Sequence, residues 1–216
     1  TEEWKKRVRG QAWFPGDTVN IGIGQGDILV TPLQLATAIA ILANHGKMIS
    51  PHMLKSSSQP MPAPTAQQLP DIDNVADAYW DLITESMSMV VHRGNQVWGE
   101  NGTAWAYIGR DIPYRMAGKS GTAQIVGIAQ GEVYDAADLD LRQRKNAWFV
   151  AFAPLEKPTI ALAVMLENGG GGSEFAAPIA RKVLDYYLRD YKPVLDVSSG
   201  PVLDSIDAVG VEGGRQ

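Results

Sequence analysis

The chain has 216 residues, 45% of them hydrophobic and 20% charged, with a net charge of −5 and no cysteine. That length fits one domain or a large part of one, and it can bury a core without covalent staples. The composition excludes disulfides and thiolate metal centres, the acidic balance offers no field for nucleic acid, and no apolar run reaches the roughly 18 residues needed to cross a bilayer.

Thr1-Glu2-Glu3-Trp4-Lys5 reads as mid-domain sequence with no signal peptide, so further sequence is expected before it. Residues 1–16 read as irregular surface structure, or a short helix and a turn closed by Pro15-Gly16. Asp17 to Ile23 is a strand candidate, followed by Gly22, Gly24 and Gly26 at alternate positions, where the backbone must turn tightly or approach a neighbour closely. Thr31 as N-cap, Pro32 at the first helical position and Gln34 at the third predict a capped helix that is apolar on every face, hence buried, and stops at Gly46. Ser56 to Pro70 holds four prolines and reads as a surface loop. A second helix is predicted over about 74–92, where Val75, Tyr79, Leu82, Ile83, Met87 and Val90 keep a helical period.

Asn101 to Ala104 reads as a turn, Tyr114 to Val126 as a strand, and 127–146 as a charged connection. Ala147–Ala153 and Thr159–Glu167 are apolar strands joined by the short Pro154–Pro158 turn. A last helix is predicted from about Phe175 to Arg189, with Ile179, Val183 and Tyr186 on one face. Helices followed by antiparallel strands indicate an α+β fold, an antiparallel sheet flanked by helices. The domain is expected over 1–190, with 191–216 as a polar tail.

The chemistry concentrates in Lys119-Ser120-Gly121-Thr122-Ala123-Gln124. Strand interiors rarely combine lysine, serine, glycine and threonine. Ser120 and Thr122 share a face, where their hydroxyls could bind a carboxylate, with Lys119 adding positive charge at the same end. Gly121 removes a side chain so that another backbone can lie against the strand. Free strand amides could pair with an extended peptide or serve an oxyanion. These residues alone also suit a polar edge strand.

Their surroundings narrow the choice. Gly16-Asp17-Thr18, Gly22-Ile23-Gly24-Gln25-Gly26, Thr31-Pro32-Leu33-Gln34, Lys119 to Gln124, Phe149 to Pro154 and Leu166 to Gly170 follow one another over roughly residues 1–190. In that order they resemble the class B penicillin-binding proteins, and within them the elongation-type penicillin-binding protein 2, in the C-terminal part of the transpeptidase domain. The resemblance implies a serine acyl-transfer enzyme that attacks the D-Ala-D-Ala bond of peptidoglycan stem peptides and is trapped by β-lactam antibiotics. It implies that Lys119 polarises the site, that Ser120 and Thr122 bind the substrate carboxylate, and that the Thr122 N–H donates to the oxyanion. Substrate contacts are expected along Ser120, Gly121, Thr122 and Ala123.

It further implies no cofactor, a location on the periplasmic side of the bacterial inner membrane, and partnership with a membrane glycosyltransferase and rod-complex scaffold proteins. No serine here begins S-x-x-K, and none is followed two places later by asparagine. The attacking serine is therefore expected in an upstream part of the same protein, and this chain alone is expected to be inactive. A serine β-lactamase and a non-catalytic β-lactam sensor are the rival readings; nitrocefin hydrolysis and stem-peptide turnover separate them.

Other candidates are weaker. His45, His52 and His92 lack ligand spacing and suit caps or the surface, so no metal is expected. Asp135, Asp138 and Asp140 lack the glycine and distal glutamate of a calcium loop and read as a solvated segment, placed as a flap beside the cleft. Gly22, Gly24 and Gly26 form a structural turn with no phosphate-loop lysine. Trp148 reads as core, and Glu167 with Asn168 as a structural strand end.

Overall fold

A computed structural model describes residues 1–53, 69–95, 97, 99–125 and 134–190. Its helices are α1 (Glu2–Arg9), α2 (Pro15–Gly22), α3 (Pro32–Ala43), α4 (Asp77–His92) and α5 (Ala177–Tyr187). Its strands are β1 (Ala117–Ala123), β2 (Asn146–Ala153) and β3 (Ile160–Leu166). They form a three-stranded antiparallel sheet in the order β1-β2-β3, as expected for the α+β class. Most of the proline-rich loop, Val126 at the end of the first predicted strand, residues 127–133 of the charged connection and the 191–216 tail lie outside the described residues.

Residue alternation divides the sheet into two faces. Phe149 and Ala151 of β2, with Leu162, Val164 and Leu166 of β3, face α5, which buries Ala177, Ala180 and Leu184 against them. A π-helical turn at Gly172–Ala176 leads into α5 on the same side. The opposite face carries Ala117, Phe152 and Ala161, packed by Ile39, Leu42 and Ala43 of α3 and by Met87 of α4. The large-small alternation of β3 thus places its bulky residues under α5 and its alanines under α3. Helix α4 contributes Met87 to one cluster and Val91 to the other, so its C-terminal half straddles the start of β1.

Several expectations need correction. Asp17 to Ile23 lies in helix α2, not a strand. Pro15 pre-sets the first helical residue and the Asp17 carboxylate accepts the Phe14 N–H at 2.8 Å, a start signal stronger than the short β-like run. Helix α3 has its Thr31–Gln34 capping box but no fully buried residue, and Leu33 is 61% exposed. The inner face of α4 is Thr84, Met87, Ser88 and Val91, whereas Tyr79, Leu82 and Ile83 are exposed. In α5 the inward residues are Ala177, Ala180 and Leu184, and Ile179, Val183 and Tyr186 point outward. Small residues face the sheet because they let the helix approach it closely. Trp148 is half-buried on the face opposite Phe149 and is not part of the core.

Candidate active site

Among the described residues strand β1 is one of the two edges of the sheet, and Lys119, Ser120, Gly121 and Thr122 lie at its centre. Its partner β2 pairs Ser120 with Phe149 and Thr122 with Ala147. The Leu155 N–H, just beyond β2, donates to the Arg115 carbonyl at 2.9 Å, so odd-numbered residues of this stretch turn their backbone groups toward β2. Even-numbered residues then turn theirs to the free edge. The contacts agree: the Met116 N–H, the Thr122 carbonyl and the Gln124 N–H are all taken by side chains from outside the sheet.

Ser120 and Thr122 share a face, as their spacing requires, and Lys119 starts from the other face. Its ammonium curls round the edge and donates to the Ser120 carbonyl at 2.6 Å. Positive charge, two hydroxyls and free backbone groups thus meet along one strand edge. Lys119 and Thr122 are exposed, while Ser120, Gly121 and Ala123 are partly covered. This edge can hold an anion and pair with an extended peptide.

The close backbone approach expected at Gly121 exists, but the glycine it demands is Gly172. A Cβ on Gly172 would lie 2.2 Å from the Trp148 carbonyl oxygen and 2.4 Å from that of Gly121. The π turn before α5 therefore rests directly on the β1–β2 pair beneath the site. A Cβ on Gly121 would meet only the Trp148 Cβ, at 3.3 Å. Gly118 makes room for the Phe149 ring, which would stand 2.6 Å from its Cβ.

Two side chains absent from the expected site bound it. His92 Nε2 accepts the Met116 N–H at 3.0 Å. Burial, and then the nearby Arg115 guanidinium, hold this imidazole below its ordinary range, which suits a neutral acceptor. Arg115 itself pairs with Glu85 at 2.8 Å and Glu156 at 3.3 Å. At the other end, Gln25 Nε2 donates to the Thr122 carbonyl at 3.0 Å and its Oε1 accepts the Gln124 N–H at 3.4 Å. A glutamine 97 residues before its partner leaves no local signal in the sequence.

Behind the site, Arg181 donates to the Asp185 carboxylate at 2.6 Å and to the Ile108 carbonyl at 2.7 Å, binding α5 to the π-helical turn at Trp105–Gly109. The Tyr114 hydroxyl donates to Asp185 at 2.8 Å, and burial followed by that carboxylate pushes its ionisation well above the ordinary tyrosine range. Asn168, at φ 54°, donates to the Arg144 carbonyl at 3.1 Å, the structural strand-end role expected of it. His45 sits near Asp77 and Asp81 at the surface. Among the described residues no group of three His, Asp or Glu side chains is placed to hold a metal.

Comparison with known proteins fits this geometry. The model of the penicillin-binding protein transpeptidase domain matches residues 3–185. The chain is 41% identical over 209 residues to the peptidoglycan D,D-transpeptidase MrdA of Haemophilus influenzae, covering 96% of this chain and 31% of that protein. It is 42% identical to MrdA of Acinetobacter baumannii over 196 residues, covering 88% of the chain and 27% of the relative. The chain thus spans less than a third of the length of these curated relatives. Among solved structures, PBP2 of Pseudomonas aeruginosa in complex with WCK 5153 superposes with a TM-score of 0.72 at 42% identity, over 88% of this chain and 38% of that one. PBP2 of Helicobacter pylori in complex with MreC gives 0.63 at 28% identity, over 88% and 30%. The chain belongs to the penicillin-binding protein transpeptidase domain family.

Proposed function

We propose that this chain forms one wall of the cleft of a serine D,D-transpeptidase that cross-links peptidoglycan stem peptides during cell-wall elongation. The observation that carries the reading is the edge strand β1, where Lys119, Ser120 and Thr122 line a partly free edge. The names of the relatives support the same reaction. A serine outside this chain attacks the carbonyl of the penultimate D-alanine, and the terminal D-alanine leaves with the proton passed to its amine. An amine of a second stem peptide then attacks the acyl-enzyme, forming the cross-link and returning a proton to the serine. Lys119 supplies a fixed positive charge to the proton network, and Ser120 and Thr122 donate to the substrate carboxylate. The Thr122 N–H, on the free edge, donates to the oxyanion. β-Lactams occupy the same edge and remain on the serine.

Assembly belongs to this proposal too. The complex of H. pylori PBP2 with MreC supports a scaffold partner, and a membrane glycosyltransferase and a periplasmic site at the inner membrane complete the reading.

The test is labelling of the full-length protein with a fluorescent penicillin. Lys119→Ala is expected to slow acylation on the order of a hundredfold, the effect of losing about 3 kcal/mol of transition-state stabilisation. Labelling of the variant at the wild-type rate removes Lys119 from the site.

A further inference from the structure

We infer that the cavity between α1 and α2 is a subsite for the glycan strand of the substrate, where a neutral aminosugar unit stacks on Trp4 and Trp13; this rests on the function proposed above. The cavity measures about 410 Å³, and Trp4, Trp13, Asp17, Asn20, Gly26 and Asp27 are among its lining residues. Small-molecule sites span roughly 300–1,000 Å³. Local structure brings two indoles to it. Trp4 lies in the first turn of α1, and Gly10, at φ 66°, ends that helix in a left-handed cap that turns the chain back. Trp13 enters from the connection to α2, and its Nε1–H donates to the Thr18 hydroxyl at 2.9 Å, which fixes the ring. Both indoles are half-buried. Trp13 also lines a second hollow of about 370 Å³ with Glu2 and Lys6, so the groove continues past a single sugar ring.

The polar lining suits an uncharged ligand that carries hydroxyls and amides. Lys5 and the Phe14 N–H both engage Oδ2 of Asp17, at 2.5 and 2.8 Å, and Arg9 engages Oδ1 of Asp27 at 2.9 Å. Each negative charge is offset by a cation, while each carboxylate keeps a second oxygen that can accept from a hydroxyl. Asn20 carries a donor and an acceptor together, the complement of an acetamido group. A pyranose ring presents axial C–H bonds on its face, and the negative π face of an indole attracts them. An anionic ligand would meet two carboxylates, and a wholly apolar one would leave their free oxygens without partners. A strand of N-acetylated aminosugars meets neither objection.

The position fits the substrate as well. The Gln25 side chain bonds to the Thr122 carbonyl and the Gln124 N–H, and its chain neighbour Gly26 lines the cavity. The cavity therefore lies one residue and one side chain away from β1. A stem of a few extended residues, each adding up to about 3.5 Å, spans that gap. A stem peptide held on β1 thus brings the sugar that bears it to the two indoles.

The test uses the full-length protein and isothermal titration calorimetry with the tetramer of N-acetylglucosamine, against cellotetraose, which lacks the acetamido groups. Wild type is expected to bind the aminosugar tetramer about tenfold more tightly, the effect of one or two amide hydrogen bonds. Trp13→Ala is expected to weaken that binding about tenfold, by removing a stacking face. Asn20→Ala, at an exposed position of α2, is expected to weaken it about fivefold, by removing one hydrogen bond. Turnover is compared for a stem pentapeptide attached to its disaccharide and for the free pentapeptide. The ratio of the two kcat/KM values is expected to fall about tenfold in Trp13→Ala. No heat with the tetramer, equal affinity for cellotetraose, affinity untouched by both substitutions, or an unmoved ratio overturns the inference. A cavity filled by another segment of the protein gives the first of these results. If wild type turns over neither pentapeptide, the proposed function fails, while calorimetry still decides whether the cavity holds aminosugars.

Discussion

Replacing Gly172 by alanine places a methyl group against three backbone atoms at once: the Trp148 oxygen at 2.2 Å, the Gly121 oxygen at 2.4 Å and the Gly121 nitrogen at 3.0 Å. Comfortable separations are about 3.5 Å, so the π turn and the sheet must part by roughly 1 Å. None of these atoms can rotate away, as the end of a side chain could. Overpacking of this kind costs about 1–3 kcal/mol, and backbone obstruction puts Gly172→Ala near the upper end. For a domain of this size about 3 kcal/mol lowers the melting temperature by roughly 6–12 °C. Gly16→Ala is the control. It lies in helix α2 with nothing within 4 Å of its Cβ, so alanine is expected to be neutral or to stabilise by about 0.5 kcal/mol. Differential scanning calorimetry of the full-length variants measures both. Because the clash falls on Gly121, next to Thr122, labelling by a fluorescent penicillin should slow in Gly172→Ala as well. A melting temperature within about 2 °C of wild type would refute the argument that this turn rests on the strand.

The pH response follows from His92. Its folded-state proton affinity is lowered by burial and by Arg115, so the native state binds fewer protons than the unfolded chain. The stability it confers is complete above about pH 6.5, the ordinary histidine value, and is lost as pH falls through the lower folded value. Urea midpoints between pH 7.5 and 5 should fall in wild type and flatten in His92→Gln, which retains a side-chain acceptor for the Met116 N–H. Equal slopes would remove His92 as the group responsible. Tyr114→Phe deletes the hydrogen bond to Asp185 and is expected to cost about 1 kcal/mol in urea denaturation. The penalty stays modest because Arg181 still satisfies that carboxylate.

Much of the fold was legible where local chemistry is sufficient. The Thr31–Gln34 capping box marked the start of α3 because both partners lie within one turn. The apolar runs of β2 and β3 and the short turn between them marked a hairpin for the same reason. Asp17–Ile23 failed because a run of seven residues carries too little periodicity to outweigh Pro15 and the Asp17 cap. The inward faces of α4 and α5 were illegible for a different reason. Hydrophobicity favoured Leu82, Ile83, Ile179 and Val183, yet close approach to the sheet selected Ser88, Ala177 and Ala180.

For the site the division is sharper. The order of motifs along the chain by itself pointed to the family and singled out Lys119 to Thr122 as the candidate site strand, because those residue types are costly in a strand unless they are used. Only the tertiary structure decided that β1 is an edge, that its free side carries the even-numbered backbone groups, and that the His92 and Gln25 side chains bond to the main chain near its two ends. It also moved the demand for a missing side chain from Gly121 to Gly172. These features are contacts between segments separated by dozens of residues. Hydrogen bonds and steric limits at such separations depend on how helices and strands pack, and that packing leaves no periodic trace in the sequence.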